Sequence, residues 1–180
     1  MDILNIPEML ISILSIDHNG IKGRTAIQKL GYFCSVKLGQ EAGYGPDFYG
    51  PYSSIVASNI QDLVAMDFTT ESKRRTQNQR LMYSYSLTED GEELVNEIKR
   101  KNPEFYSTIS EVVEKCRATV NNNIYILSWA AKVHFILCQT KKPITYMKAI
   151  EIGEEFGWKL NPTKIESAVQ LLKALDLINS

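Results

Sequence analysis

Residues 68–87 read Phe-Thr-Thr-Glu-Ser-Lys-Arg-Arg-Thr-Gln-Asn-Gln-Arg-Leu-Met-Tyr-Ser-Tyr-Ser-Leu. Their pattern decides the fold class. Leu81, Tyr83, Tyr85 and Leu87 alternate with polar residues, the period of a half-buried strand. Phe68 to Thr70 supplies a short partner strand, and the polar stretch Glu71 to Gln79 the tip between them. Strand, polar tip and strand make a β-hairpin.

On the N-terminal side, the apolar spacing is helical. Met9, Leu10, Ile13, Leu14 and Ile16 mark a helix over Pro7 to Asp17, stopped by Asn19-Gly20. Ile27, Leu30, Phe33 and Cys34 mark a second over Arg24 to Leu38, with Gly39 as its C-cap. Gln40 to Gly50 is a glycine-rich loop carrying Pro46. Pro51, whose fixed φ suits a first turn, opens a helix to Met66 with Val56, Ile60, Leu63 and Val64 as its buried stripe. Ser53 and Ser54 there are good capping residues. On the C-terminal side, Thr88 caps a helix to Lys101, and Asn102-Pro103 starts another to Thr119. Asn121-Asn122-Asn123 is a break. Helices are expected over Ile124 to Gln139, Thr145 to Phe156 and Asn161 to Leu175. Helix, helix, loop, helix, hairpin, helix is the order of a winged helix. The expected class is therefore mainly α with a small β-hairpin. A winged helix-turn-helix domain over residues 1–101 is followed by a helical C-terminal region over 102–180.

That C-terminal region contains an echo. Ser58 to Phe68 (SNIQDLVAMDF) resembles Ser167 to Leu177 (SAVQLLKALDL). Both end a helix with a Leu, then a small turn, then an apolar strand starter. The alternatives are chance similarity between two amphipathic helices and a second, degenerate helix-turn-helix without a basic wing.

The hairpin tip carries the functional expectation. Ser72 to Arg80 holds Lys73, Arg74, Arg75 and Arg80 and no acid. Planar guanidinium groups suit phosphate oxygens, and Gln77 and Asn78 add neutral donors. A projecting hairpin of this content can lie along a DNA backbone or in a minor groove. In helix-turn-helix folds the second motif helix enters the major groove. Here that helix shows Ser54, Ser58 and Gln61, with Gln61 a candidate for an adenine edge. Lys22 and Arg24, and also Lys29, are placed to reach phosphates. The alternative is a hairpin edge kept soluble by charge.

Two resemblances point the same way. Tyr85-Ser86-Leu87-Thr88-Glu89-Asp90-Gly91 resembles the wing exit of MarR-like and PadR-like winged-helix regulators. There Tyr-x-Leu-Thr-x-x-Gly ends the second wing strand and caps the next helix. Gly23 to Phe33 (GRTAIQKLGYF), with Tyr49-Gly50-Pro51-Tyr52-Ser53, resembles YwgA-like and Panacea antitoxin-like winged-helix proteins. Together they cover about half of the chain, from Gly23 to Gly91, and imply a winged helix. They leave open a regulator or an antitoxin.

Composition sets limits. The chain has 180 residues and a net charge of -1, so no overall basicity favours nucleic acid. Leu38 to Ser72 has no Lys or Arg, but has Glu41, Asp47, Asp62, Asp67 and Glu71. Cys34, Cys116 and Cys138 are far apart, which suits neither a disulfide framework nor a zinc site. His18 and His134 have no partners at metal spacing, so neither metal nor cofactor is expected. No nucleophile elbow or phosphate loop is present, and no enzyme is expected. With no secretory leader and no apolar run of membrane length, a cytoplasmic protein without membrane contact is expected.

Two functions follow. The first is a transcriptional regulator that binds double-stranded DNA as a homodimer, with Asn102 to Thr119 and Ile124 to Gln139 as candidate dimer helices and Trp129, Phe135 and Ile136 serving either that surface or plain core packing. The second is a protein-interaction module, antitoxin-like, whose acidic 38–72 segment meets a basic partner.

Overall fold

A computed structural model describes residues 5–17, 21–75, 77, 79 and 81–178. The chain is mainly helical with one small antiparallel sheet. Helix α1 (Ile6–Ile16) leads to a two-residue strand β1 (Ile21–Lys22), then α2 (Arg24–Lys37) and α3 (Ser54–Ala65). The hairpin β2 (Thr69–Arg75) and β3 (Leu81–Leu87) follows. Next come α4 (Glu89–Lys101), α5 (Pro103–Val120), α6 (Ile124–Thr140), α7 (Tyr146–Glu155) and α8 (Pro162–Ala174). The sheet order is β1-β3-β2, with Ile21 opposite Tyr85 and Glu71 also opposite Tyr85 on the other side. Helices α1 to α3 with this sheet have the winged-helix order.

The helix ends follow capping chemistry. Ser53 Oγ accepts from Val56 N, Thr88 Oγ1 from Gly91 N, and Asn102 Oδ1 from Phe105 N. The motif from Tyr85 to Gly91 has a packing reason as well. A Cβ on Gly91 would stand 2.1 Å from the Phe68 carbonyl oxygen, so only glycine fits where the first turn of α4 meets the segment between α3 and β2.

Two expectations need correction, and one strand is unexpected. Pro51 does not open α3. Gly45 and Tyr52 pair as an isolated bridge, which keeps Pro51 in the loop, and Ser53 takes the cap. Strand β2 runs on to Arg75, because Lys73, Arg74 and Arg75 pair with Tyr83, Met82 and Leu81. The tip is correspondingly shorter. Strand β1 has no sequence signal, being two residues long.

The echo between α3 and α8 is structural. Asp67 (φ 62) and Asp176 (φ 53) both adopt the left-handed conformation just past their helices. Phe68 N bonds Leu63 O at 3.0 Å and Asp67 N bonds Val64 O at 3.2 Å. Leu177 N bonds Leu172 O at 2.9 Å and Asp176 N bonds Lys173 O at 3.0 Å. Each is a Schellman closure. Helices α6, α7 and α8 pack together as a second three-helix unit, with α8 on α6.

The apolar core is continuous across Asn102, where the sequence places the domain division. Helix α1 packs on α4 and α5, and α2 on α5 and α6. Phe33, Ile109, Val113, Leu127 and Ile136 are fully buried in that core. Phe135 and Ile136 are inside the fold, which decides for core packing over a dimer surface. His134 is buried beside them, with Nδ1 2.8 Å from the Tyr32 hydroxyl, and burial pulls its pKa down to about 4. Among the described residues, no helix is long and apolar enough to cross a membrane.

Candidate nucleic-acid interface

Strand geometry divides the wing residues between two faces, because side chains alternate. Glu71, Lys73 and Arg75 share one face with Tyr85, Tyr83 and Leu81, while Ser72 and Arg74 lie on the other. Lys73, Arg74, Arg75 and Gln77 are exposed. Arg75 donates to the Gln79 carbonyl at 3.3 Å, within the hairpin. Asn78 and Arg80 lie outside the described residues. Lys22 is exposed on β1, and Ser54, Ser58 and Gln61 are exposed on α3, along with Asp62.

The face carrying Glu71 folds against the start of α2 and the middle of α3. Four donors from four elements meet there on one carboxylate. Tyr85 Oη donates to Glu71 Oε2 at 2.5 Å, Arg24 Nη2 at 3.2 Å and Gln61 Nε2 at 3.3 Å. Lys73 Nζ lies 3.2 Å from Oε1. Arg24 Nε also donates to Tyr85 Oη at 3.2 Å, and its guanidinium lies 3.8 Å from the centre of the Tyr83 ring. The Glu71 side chain is 8% exposed, whereas Arg24 and Lys73 keep 52% and 57%. Burial works against the charged carboxylate, but the bonds from Tyr85, Gln61, Arg24 and Lys73 outweigh it and hold its pKa down to about 2. Burial also raises Tyr85, to about 12 together with the Glu71 carboxylate it serves.

The structure thus joins Arg24, Gln61 and Lys73, which the sequence places in separate elements, and gives them a common anion. Read along the chain, Glu71 is only an acid near the wing. The signal that pairs it with Lys73 is the two-residue spacing, once β2 is known to extend past Thr70.

Lys29 is not a phosphate contact. Its side chain is buried (1% exposed), and Nζ donates to the Pro51 carbonyl at 2.7 Å. Burial and nearby Lys132 lower its pKa to about 8, against the pull of Asp47. Beside it, the Gln28 amide pairs with both backbone groups of Ser53, at 2.9 Å each. Gln28-Lys29 therefore grips Pro51-Tyr52-Ser53. The two halves of the narrower sequence motif bind one another and set the start of α3. Trp158 Nε1, from the C-terminal unit, donates to Asp47 O at 2.7 Å and anchors the same loop from outside.

A further patch is not evident from the sequence. Phe48 is 71% exposed and stacks edge-on with Tyr49 at 4.9 Å, with Tyr52 and Ile55 also exposed nearby in sequence. Aromatic residues in a glycine- and proline-bearing loop are its only signal there. Among the described residues, no group of three His, Cys, Asp or Glu is placed to hold a metal ion; His18 lies outside them. No protein-family model matches the chain, and no curated protein is significantly similar to it.

Proposed function

We propose that the protein binds double-stranded DNA through its wing and the exposed face of α3, as a transcriptional regulator. The observation that carries this is the meeting of the sheet, the start of α2 and α3 at the base of the hairpin. Arg24, Gln61, Lys73 and Arg75 lie on the side of the sheet turned toward α2 and α3, Ser54 and Ser58 are exposed on α3, and Lys22 and Arg74 add cations on the opposite sheet face. Small serines on α3 allow close approach, and the wing cations supply the attraction that α3 lacks. Arg24 and Lys73 keep exposed donors while sharing Glu71, so the cluster retains a surplus of one positive charge. A homodimer would double the contacts and read a two-fold site.

The test is fluorescence anisotropy with a labelled random duplex, from low to physiological salt. The parent is compared with a variant in which Lys73, Arg74, Arg75 and Arg80 are all Ala. Four to six phosphate contacts give a log-log salt slope of roughly -4 to -5. The variant loses most of it. Absence of binding by the parent at low salt contradicts the proposal.

A second function, capture of a basic protein partner, is favoured by the exposed Phe48, Tyr49, Tyr52 and Ile55, with exposed Asp47 adjoining Phe48 in sequence and exposed Asp62 two turns along α3 from Ile55. Solvent-exposed aromatics flanked by acids suit a protein contact better than a phosphate backbone. Changing Asp47 and Asp62 to Asn weakens only that kind of binding, and changing the wing weakens only DNA binding.

A further inference from the structure

We infer that Arg24, Gln61, Lys73 and Tyr85 form a seat for one phosphate of the DNA backbone, in which the Glu71 carboxylate sits as a resident competitor. The inference rests on DNA binding for the identity of its ligand. Its physical basis is the donor count. A carboxylate with four donors from four separate elements is held more completely than an edge strand requires. The donors also differ in kind: a guanidinium, an ammonium, an amide and a phenol. Such mixed sets recognise phosphate oxygens, because each oxygen accepts from several directions.

Access to the seat does not run past Glu71. A cleft of about 250 Å³ opens between α2, α3 and the sheet, lined by Arg24, Ile27, Tyr52, Ala57, Gln61 and Tyr85 among others, and by neither Glu71 nor Lys73, so Lys73 is reached from solvent and not through the cleft. That is smaller than the roughly 300–1,000 Å³ of sites for drug-sized ligands, and it is roomy enough for one phosphate group. An anion entering it meets Arg24 and Gln61 directly. Arg24 has unused N–H groups, because Nε serves Tyr85 and Nη2 serves Glu71. Lys73 is more than half exposed. Arrival of a phosphate therefore sets two anions in competition for the same donors, and the carboxylate, on a flexible side chain, is the one able to turn away.

The position explains why two cations predicted from the sequence are paired internally. Half of their charge is cancelled, and both groups are kept in place, over the Tyr83 ring, by an anion of the same chain. Glu71 lowers affinity for any phosphate and so raises the threshold for indiscriminate binding.

The experiment uses inorganic phosphate and a labelled duplex as separate probes. The full chain, with ¹⁵N label, is compared with E71A, which vacates the seat, and E71Q, which keeps its shape and removes the charge. Phosphate is expected to shift the Arg24 Nε–H and Gln61 side-chain amide signals saturably in E71A. Binding there is roughly tenfold tighter than in the parent, a change of about 1.4 kcal/mol. R24Q in the same background abolishes the Gln61 shift. On duplex DNA, E71Q is expected to bind more tightly than the parent, with a salt slope steeper by roughly 0.9 for each additional phosphate neutralised. Phosphate shifts that are absent in E71A, or equal in parent and variant, overturn the inference. So does weaker duplex binding by E71Q. Duplex binding that needs Arg74 and Arg75, alongside phosphate-blind E71A, sinks the seat and leaves DNA binding standing. Phosphate seated in E71A while no variant binds duplex sinks DNA binding and leaves the anion seat.

Discussion

Helices α3 and α8 end alike and are followed by different things. Each closes with a Schellman turn on a left-handed aspartate, and each packs its apolar stripe on a preceding helix of its own unit. After α3 the chain enters a cationic hairpin. After α8 it continues through Leu175, Asp176 and Leu177, with no strand among the described residues. Backbone closure is thus the repeated part and charge is the variable part. A helix-turn-helix scaffold alone presents a helix. The wing and the cluster at its base give the first unit a surface with chemistry. The second unit instead directs its polar groups at the first. Trp158 holds Asp47 O, and Lys115 and Lys37 meet Asp176 from α5 and α2.

If the two units share one core, damage to either unfolds both. Leu63 and Leu172 are buried at the matching position before each turn. Changing either to Ala is expected to cost about 2–5 kcal/mol. Urea unfolding followed by far-UV signal and tryptophan fluorescence should stay a single coincident transition for both. A separate early transition for L172A would show that the units unfold independently.

His134 links the units from within, through Tyr32 on α2. Its pKa is about 4 folded, below the ordinary 6.5. Between those values the unfolded chain binds the extra proton and the folded one does not. Stability therefore falls as pH drops from 6.5 to 4, by up to about 1.4 kcal/mol per pH unit from this group. Parent minus H134Q stability, measured by denaturation at each pH, isolates that slope. A difference constant across the window contradicts it.

The caps offer a like-for-like comparison. Ser53 and Asn161 start α3 and α8. Loss of such a cap costs about 0.5–2 kcal/mol. S53A is expected to cost more than N161A, since Ser53 Oγ is buried and also donates to the Ala42 carbonyl at 2.5 Å. Equal losses would remove that distinction. The smallest effect concerns the shared turn. D67G relieves a left-handed residue and is expected to stabilise by a few tenths of a kcal/mol. D176G gains less, because it also removes the exposed pair that Asp176 makes with Lys115 at 2.7 Å. Thermal melts of the two variants compare them directly.

Much of the fold is legible in the chain itself. Apolar spacing marks every long helix within a few residues, and Ser, Thr or Asn caps mark most of them, α2 with its Gly23 cap being an exception. Alternation marks β3, and the echo marks the repeated closure. Strand β2 reads short because Thr-Thr-Glu-Ser-Lys-Arg-Arg has no apolar alternation; its pairing comes from β3 across the hairpin. Pro51 misleads because its fixed φ suits a loop as well as a first turn, and the Gly45–Tyr52 bridge decides between them. Lys29 reads as a phosphate contact because helical position does not reveal a carbonyl arriving from residue 51. The Glu71 cluster depends on strand register and on where α2 begins, neither of which spacing along the chain reveals.

Titration of ¹⁵N-labelled protein with a duplex at low salt tests the contrast between the two units most directly. Chemical-shift changes are expected at Lys22, Arg24, Ser54, Ser58, Gln61 and residues 73–75, and not along α7 and α8. Changes centred on α7 and α8, or none at all while the protein remains folded, would contradict DNA binding by the winged unit.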